Sequence, residues 1–179
     1  MAQAPTLYQF EIALNHVDRG ITETINMRTA RHPSETMQRL WLRVLAFAWH
    51  WEERIAFGPG LSDPEAPDLL VQDLVGMTRL WVRVGKAEPV KIQRTASQNK
   101  DARVAVFFES PQKLAAFKEE AIREKCTRLD TVEQIAADPA LIQALAAVDE
   151  RRTKISLTLV GEHVYAERDG VAVDGPLTR

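Results

Sequence analysis

Apolar and polar residues alternate strictly at the start of this chain. Tyr8, Phe10, Ile12 and Leu14 stand between mostly polar neighbours, the period-two pattern of a strand with one buried face. Asp18-Arg19-Gly20 supplies a turn. Ile21, Ile25 and Met27 then share a face opposite Thr22, Thr24, Asn26 and Arg28, so residues 7–29 are predicted to form a β-hairpin. Glu23 interrupts its apolar face and marks a frayed or edge end. The period then changes. Pro33 suits a first helical position, because its missing N–H would have no partner there, and Glu35 falls in the first turn, near the positive helix end. Met37, Leu40, Trp41, Val44, Leu45 and Ala48 follow at helical spacing. They predict a helix from Pro33 to about Trp51 with one core stripe.

The remaining pattern is read the same way. A short strand is predicted around Ile55 to Phe57, before a loop broken by Gly58-Pro59-Gly60 and Asp63-Pro64. Leu69 to Val75 and Leu80 to Val84 are predicted as strands joined through Gly76-Met77-Thr78. Glu88-Pro89 opens a helix to about Lys100. Val104 to Phe108 is nearly all apolar, which predicts a central strand. Ser110-Pro111 caps a helix carrying Leu114, Phe117, Ala121 and Ile122, and Asp138-Pro139 caps another with Leu141, Ile142 and Leu145. Strands at Lys154 to Val160 and His163 to Glu167 turn through Gly161-Glu162. Asp169-Gly170 precedes a short last strand at Val171 to Val173. The expected order, β-β-α-β-β-β-α-β-α-α-β-β, is that of a mixed α/β domain spanning 1–179, with no internal repeat and no linker.

Composition narrows the function classes. The chain has 179 residues, 45% of them hydrophobic and 27% charged, the profile of one globular domain rather than of a disordered chain. Its net charge of -2 gives no global basic field for holding nucleic acid. The one cysteine, Cys126, excludes an internal disulfide framework and a Cys-based zinc site; it reads as a helix-end core thiol. His16, His32, His50 and His163 lack metal-ligand spacing. Trp41, Trp49 and Trp51 read as core or interface residues. No apolar run approaches the ~20 residues of a membrane span, and Met1-Ala-Gln-Ala-Pro lacks the regions of a signal peptide. The expectation is a cytoplasmic protein with no membrane partner.

Charge changes sign within a short span. Residues 61–78 contain Asp63, Glu65, Asp68 and Asp73 and no Lys or Arg. Residues 79–103 contain Arg79, Arg83, Lys86, Lys91, Arg94, Lys100 and Arg103 against Glu88 and Asp101. On neighbouring strands, such groups could hold a divalent metal beside a phosphate, or they could be ordinary surface charge. The helix with an early glutamate, followed by three strands, a helix and a strand, with Pro67-Asp68 and Asp73 within it, resembles the core of PD-(D/E)XK nucleases. That resemblance implies magnesium held by an Asp on the second core strand and an acid on the third. It also implies a Lys two residues further on, which polarises the phosphate or its attacking water.

A narrower resemblance covers essentially the whole chain. Ala30-Arg31-His32-Pro33-Ser34-Glu35-Thr36 is similar to the A-x-H-P-S-E-T of the YaeQ family. Arg43-Val44-Leu45-Ala46-Phe47-Ala48, Phe57-Gly58-Pro59-Gly60-Leu61-Ser62, Pro67-Asp68, Asp73 and Leu80-Trp81-Val82-Arg83-Val84-Gly85 continue it. The resemblance implies a variant of the PD-(D/E)XK restriction-endonuclease-like fold, here with an added N-terminal β-hairpin and C-terminal strands.

Two departures bear on chemistry. Where the family carries an acid in L-W-I-(E/D)-L-G this chain has Arg83, and where the family has R-K-A on the next helix it has Gln93-Arg94-Thr95. Gly85 occupies the position of the nuclease lysine, so a base would have to come from Arg94 or Lys91. A unit charge at ~5 Å with an effective dielectric of ~20 is worth ~3 kcal/mol, and twice that against a divalent ion. Arg83 pointing inward would therefore weaken a magnesium site. Arginine stays protonated and cannot act as a general base, but it grips phosphate in a bidentate fashion. The candidate catalytic residues are Glu35, Asp68, Asp73, Arg83 and Arg94. Asp73 and Glu35 are the candidate metal ligands, with Mg2+ expected if the site is active, and Arg83, Lys91 and Arg94 are the candidate anion or nucleic-acid binders. Glu35 could equally be a helix-start charge, Asp68 a strand-start turn residue, and Asp73 the ion-pair partner of Arg83. Three functions stay open. One is a metal-dependent phosphodiesterase. The second, favoured here, is a degenerate nuclease-like site that binds nucleic acid or another anion. The third is a protein-interaction domain using a sheet edge or the Trp-rich helix.

Overall fold

A computed structural model describes residues 4–179; the first three residues of the Met1-Ala-Gln-Ala-Pro stretch lie outside it. The predicted hairpin is present as β1 (Thr6–His16) and β2 (Ile21–Arg31), paired along their full lengths. Then come α1 (Met37–Trp49), β3 (Ala56–Phe57), β4 (Leu69–Gln72) and β5 (Thr78–Val84). They are followed by α2 (Pro89–Gln98), β6 (Arg103–Phe108), α3 (Pro111–Arg123), β7 (Glu133–Ala137) and α4 (Pro139–Ala146). The chain closes with β8 (Arg152–Val160), β9 (His163–Arg168) and β10 (Val171–Thr178). The strands form one ten-stranded mixed sheet in the order β2-β1-β8-β9-β10-β7-β6-β5-β4-β3. Among the described residues no helix is long and apolar enough to cross a membrane.

The sheet has two halves with different cover. In the half containing β5, β6 and β7, which run parallel, both faces are buried. Val104, Val106 and Phe108 pack with Ile92, Leu114 and Phe117 of α2 and α3, while Ala105 and Phe107 join the core around α1 and α4. This is why β6 reads as continuously apolar. In the half containing β1, β8 and β9 only one face is buried, through Phe10, Ile12, Leu157, Leu159 and Val164, and the sequence there alternates. Both halves face α1. The helix is accordingly buried on every side from Leu40 to Trp49, and its Trp41 meets Phe10 edge-on at 5.2 Å.

Several expectations need correction. Helix α1 starts at Met37, not Pro33: the Thr36 hydroxyl accepts the Arg39 N–H at 3.2 Å and sets the cap, while residues 33–34 form a turn. From Leu40 to Trp49 the helix buries its whole circumference rather than one stripe. Strand β7 falls between the two helices that the pattern joined directly. Its Glu-Gln-Ile-Ala-Ala run has little β preference, and only insertion beside β6 makes it a strand. Strand β10 continues through Gly175 and Pro176, both ordinary strand breakers. Gly175 is needed because a Cβ there would stand 2.9 Å from the Leu141 Cβ. Beyond Pro176 the strand changes partner from β9 to β7. On α3, Leu114, Phe117 and Ala121 are buried as the spacing predicts, but Ile122 is exposed.

Candidate functional site

The carboxyl ends of parallel strands are where open α/β sheets leave a crevice, and here β5 ends at Val84 and turns into α2 through Gly85, at φ +83°. Asp68 is tied to this end. Its N–H donates to the Val82 carbonyl at 2.8 Å, and its Oδ2 accepts the Val84 N–H at 2.8 Å. The loop before it closes tightly, with the Gly58 N–H donating to the Asp68 carbonyl at 2.9 Å. A side chain at Gly58 would place its Cβ 1.9 Å from the Pro67 oxygen. That contact explains the glycine directly after Phe57.

From α1, two arginines reach the same place. Arg39 donates to Asp68 Oδ1 at 2.6 Å and to Glu35 Oε1 at 2.7 Å. Arg43 clasps Glu35 with both Nε and Nη2 at 2.8 Å, and also donates to the Thr29 hydroxyl and the Ala30 carbonyl at 2.9 Å. Glu35 additionally accepts the His32 N–H at 3.3 Å. Its carboxylate therefore has about all the four acceptor positions it possesses filled. Glu35, Asp68 and Arg43 are buried. Burial opposes the charge on Arg39, but Asp68 and Glu35 outweigh it and hold the guanidinium above its ordinary range.

Arg83 comes from the other face of β5. It donates to the Pro64 carbonyl at 2.6 Å, stands 3.7 Å from Asp68 Oδ2, and lies over the Trp81 ring at 5.4 Å. Together with Arg39, Lys86, Lys91, Glu65 and Glu88 it lines a cleft of about 300 Å³ between β5 and α2. Lys91 pairs with Glu65 at 3.1 Å and Glu88 at 3.4 Å. These acids hold its ammonium above the usual lysine range.

Of the residues singled out in the sequence, Glu35, Asp68 and Arg83 come together, and Lys91 joins them at the rim. Arg94 is exposed and lies outside the cleft lining. Asp73 is elsewhere. It lies past the far end of β4, roughly 16 Å of extended chain from Asp68, and its partner is Arg79 rather than Arg83, at 2.9 Å. There it accepts the N–H groups of Val75 and Met77; the Met77 N–H is the first cause that holds its carboxyl below the usual range. Antiparallel pairing fixes this, because it sets Arg79 beside the turn and carries Arg83 to the opposite end. Sequence reading missed Arg39 and Arg43. The available signal was Glu35, Arg39 and Arg43 at successive four-residue intervals, with Arg43 inside an otherwise apolar helix.

A magnesium ion needs free, hard oxygen ligands. Glu35 and Asp68 are already bound by guanidinium groups, Asp73 is remote, and Arg83 adds positive charge. Among the described residues no three His, Cys, Asp or Glu side chains group as a metal site. The residues present do not fit the ion.

Comparison with known proteins agrees with the motifs. The chain matches the family model described as YaeQ protein over residues 1–175. An uncharacterised YaeQ protein of Escherichia coli (strain K12) is 26% identical over 170 residues, covering 94% of this chain and 92% of that one. One from Salmonella typhi is 34% identical over 108 residues, 60% of this chain and 58% of its own length. The crystal structure of YaeQ protein from Xanthomonas axonopodis pv. citri superposes with a TM-score of 0.87 at 27% identity, covering 97% of each chain. That from Pseudomonas syringae gives 0.87 at 28%, covering 98% of this chain and 96% of that one. With sequence pattern and backbone in agreement over nearly its whole length, the chain belongs to the YaeQ family.

Proposed function

We propose that this protein is a catalytically silent relative of the PD-(D/E)XK nucleases whose cleft binds a phosphate group, carried by a nucleotide or a nucleic-acid strand. The observation that carries this reading is Arg83. It faces the cleft from the strand position where a nuclease would carry an acid, and its one hydrogen bond among the described residues, to the Pro64 carbonyl, leaves most of its five N–H donors for a ligand. The two carboxylates beneath serve to hold Arg39 and Arg43 in place. They are spent as scaffold, and no hydrolytic step is assigned to them.

The test is fluorescence anisotropy with labelled single- and double-stranded oligonucleotides at low salt, beside calorimetry with a mononucleotide. Arg83→Ala is expected to weaken both by about tenfold, the loss of a charge-assisted contact. Lys91→Ala with Arg94→Ala should weaken the strand and flatten its salt dependence by up to ~2 contacts, whereas Arg94→Ala alone should leave the mononucleotide unchanged. Failure of strand and mononucleotide alike to bind overturns the reading. So does tight magnesium binding together with strand cleavage. A protein partner is the second reading, favoured by β2, an eleven-residue edge strand paired only with β1, since such an edge is a template for a further strand.

A further inference from the structure

A second cleft, of about 390 Å³, lies at the opposite end of α1 and of β6. Its walls include His16 at the end of β1, Arg19 in the following turn, His50 after α1, Arg103 at the start of β6, Glu133 at the start of β7, and Arg179. The two histidines are nearly fully buried. Neither ring nitrogen of His16 has a hydrogen-bond partner, nor does Nε2 of His50, whose Nδ1 stands 3.8 Å from Glu133. Unpartnered polar atoms at such depth are costly and uncommon in native proteins. Above them are three guanidiniums. Arg19 donates to the Trp49 carbonyl at 3.0 Å, Arg179 lies over the Trp49 ring at 5.4 Å and pairs with Glu162 at 3.6 Å, and Arg103 is paired with Glu52; Asp18 and Glu162 complete the wall.

The charge around the rings selects the ligand. Burial, then the nearby Arg103 and Arg19, push His50 down to about 3, and burial with Arg19 lowers His16 as well. Both rings are therefore neutral, and each presents one N–H donor and one bare nitrogen acceptor. Of the acids in the lining, Glu162 is paired with Arg179, Asp18 accepts the Gly161 N–H and Glu133 the Trp49 indole N–H, so at the His50 ring the arginines Arg103 and Arg19 set the charge and disfavour a cation. A carboxylate or sulfate would satisfy the arginines but has no proton for the bare nitrogen. A hydrogen phosphate has both, because its second ionisation lies near neutrality.

We propose that this cleft is a binding site for a hydrogen phosphate group, free or as a small monoester, with Arg103 and Arg19 on its anionic oxygens and the imidazoles of His50 and His16 supplying a donor and an acceptor. The site is separate from the cleft beside Arg83 and does not depend on its function. Glu52 competes with the ligand for Arg103.

The experiment is a titration with inorganic phosphate and with methyl phosphate in the Arg83→Ala background, read by calorimetry and by the imidazole nitrogen resonances of His16 and His50. Saturable movement of those resonances is expected, with sulfate about tenfold weaker. Arg103→Gln should weaken phosphate by about tenfold, and Glu52→Gln should strengthen it. Arg103 and Glu52 are partly exposed and their effects run in opposite directions, so a folding defect cannot imitate the result. Equal affinity for phosphate and methyl phosphate indicates that the head group alone is read; preference for one names the source. Sulfate binding as tightly as phosphate, indifference to Arg103→Gln, or unmoved histidine resonances would overturn the proposal.

Discussion

Glu35 is the residue on which two buried guanidiniums depend. It sits just before the Thr36 cap, so its carboxylate can receive Arg39 and Arg43 from successive turns of α1. Removing one member of a buried ion pair leaves the other charge without compensation, at about 3–5 kcal/mol. Glu35→Gln keeps the shape but turns an amide N–H2 toward a guanidinium, so we predict a loss of that size in urea unfolding. Thr36→Ala, which removes only a cap, should cost about 1 kcal/mol. A Glu35→Gln loss no greater than the cap's would show that the network contributes little to folding. At this scale the sequence pointed to Glu35, Asp68 and Arg83 as residues of interest. It did not reveal that the carboxylates hold arginines, because a charged side chain's partner is set by the fold and not by its own neighbours.

Elements were legible where their signals are local. Ser110 and Asp138 cap α3 and α4 as their Ser-Pro and Asp-Pro pairs suggest, accepting N–H groups at 3.2 and 3.1 Å. The strands β5, β6, β8 and β9 follow their apolar patterns. Burial around a helix was less legible. Leu45 is fully buried in the middle of α1, whereas Ile122, at the edge of an apparent stripe on α3, is 79% exposed. Leu45→Ala is predicted to cost ~2–5 kcal/mol, as for other buried leucines, and Ile122→Ala to change stability by no more than ~0.5 kcal/mol. Chemical denaturation of the two variants side by side checks both assignments. A Leu45→Ala loss under ~0.5 kcal/mol would contradict the placement of α1 at the centre of the core.

For the whole molecule, the buried neutral histidine makes stability depend on pH. The pKa of His50 falls from an ordinary 6.5 to about 3 on folding. Above the higher value neither state binds this proton, and the favourable contribution is fully present. Between the two values the unfolded chain binds it and the folded one does not, so stability falls as pH falls, by up to ~1.4 kcal/mol per pH unit for one proton. His50→Gln should flatten the dependence by that slope in urea midpoints measured across the window. An unchanged slope would mean that the ring is protonated in the folded state. The loss stops once pH drops below the folded value.

Alternation, helical spacing, turn residues and caps act over a few residues, so the sequence by itself determined the hairpin, the four helices and most strands. The motifs from Ala30 to Gly85 likewise determined the family. What only the tertiary structure decided depends on distant partners. Strand β7 exists because β6 and β10 flank it, and β10 runs past Gly175 because α4 presses there. Arg39 meets Asp68 across 29 residues, and Asp73, a neighbour of Asp68 in sequence, is carried to the other end of its strand. A strand moves about 3.3 Å with each residue, so five positions separate what the sequence sets side by side. A helix turn and a sheet end bring together what it keeps apart.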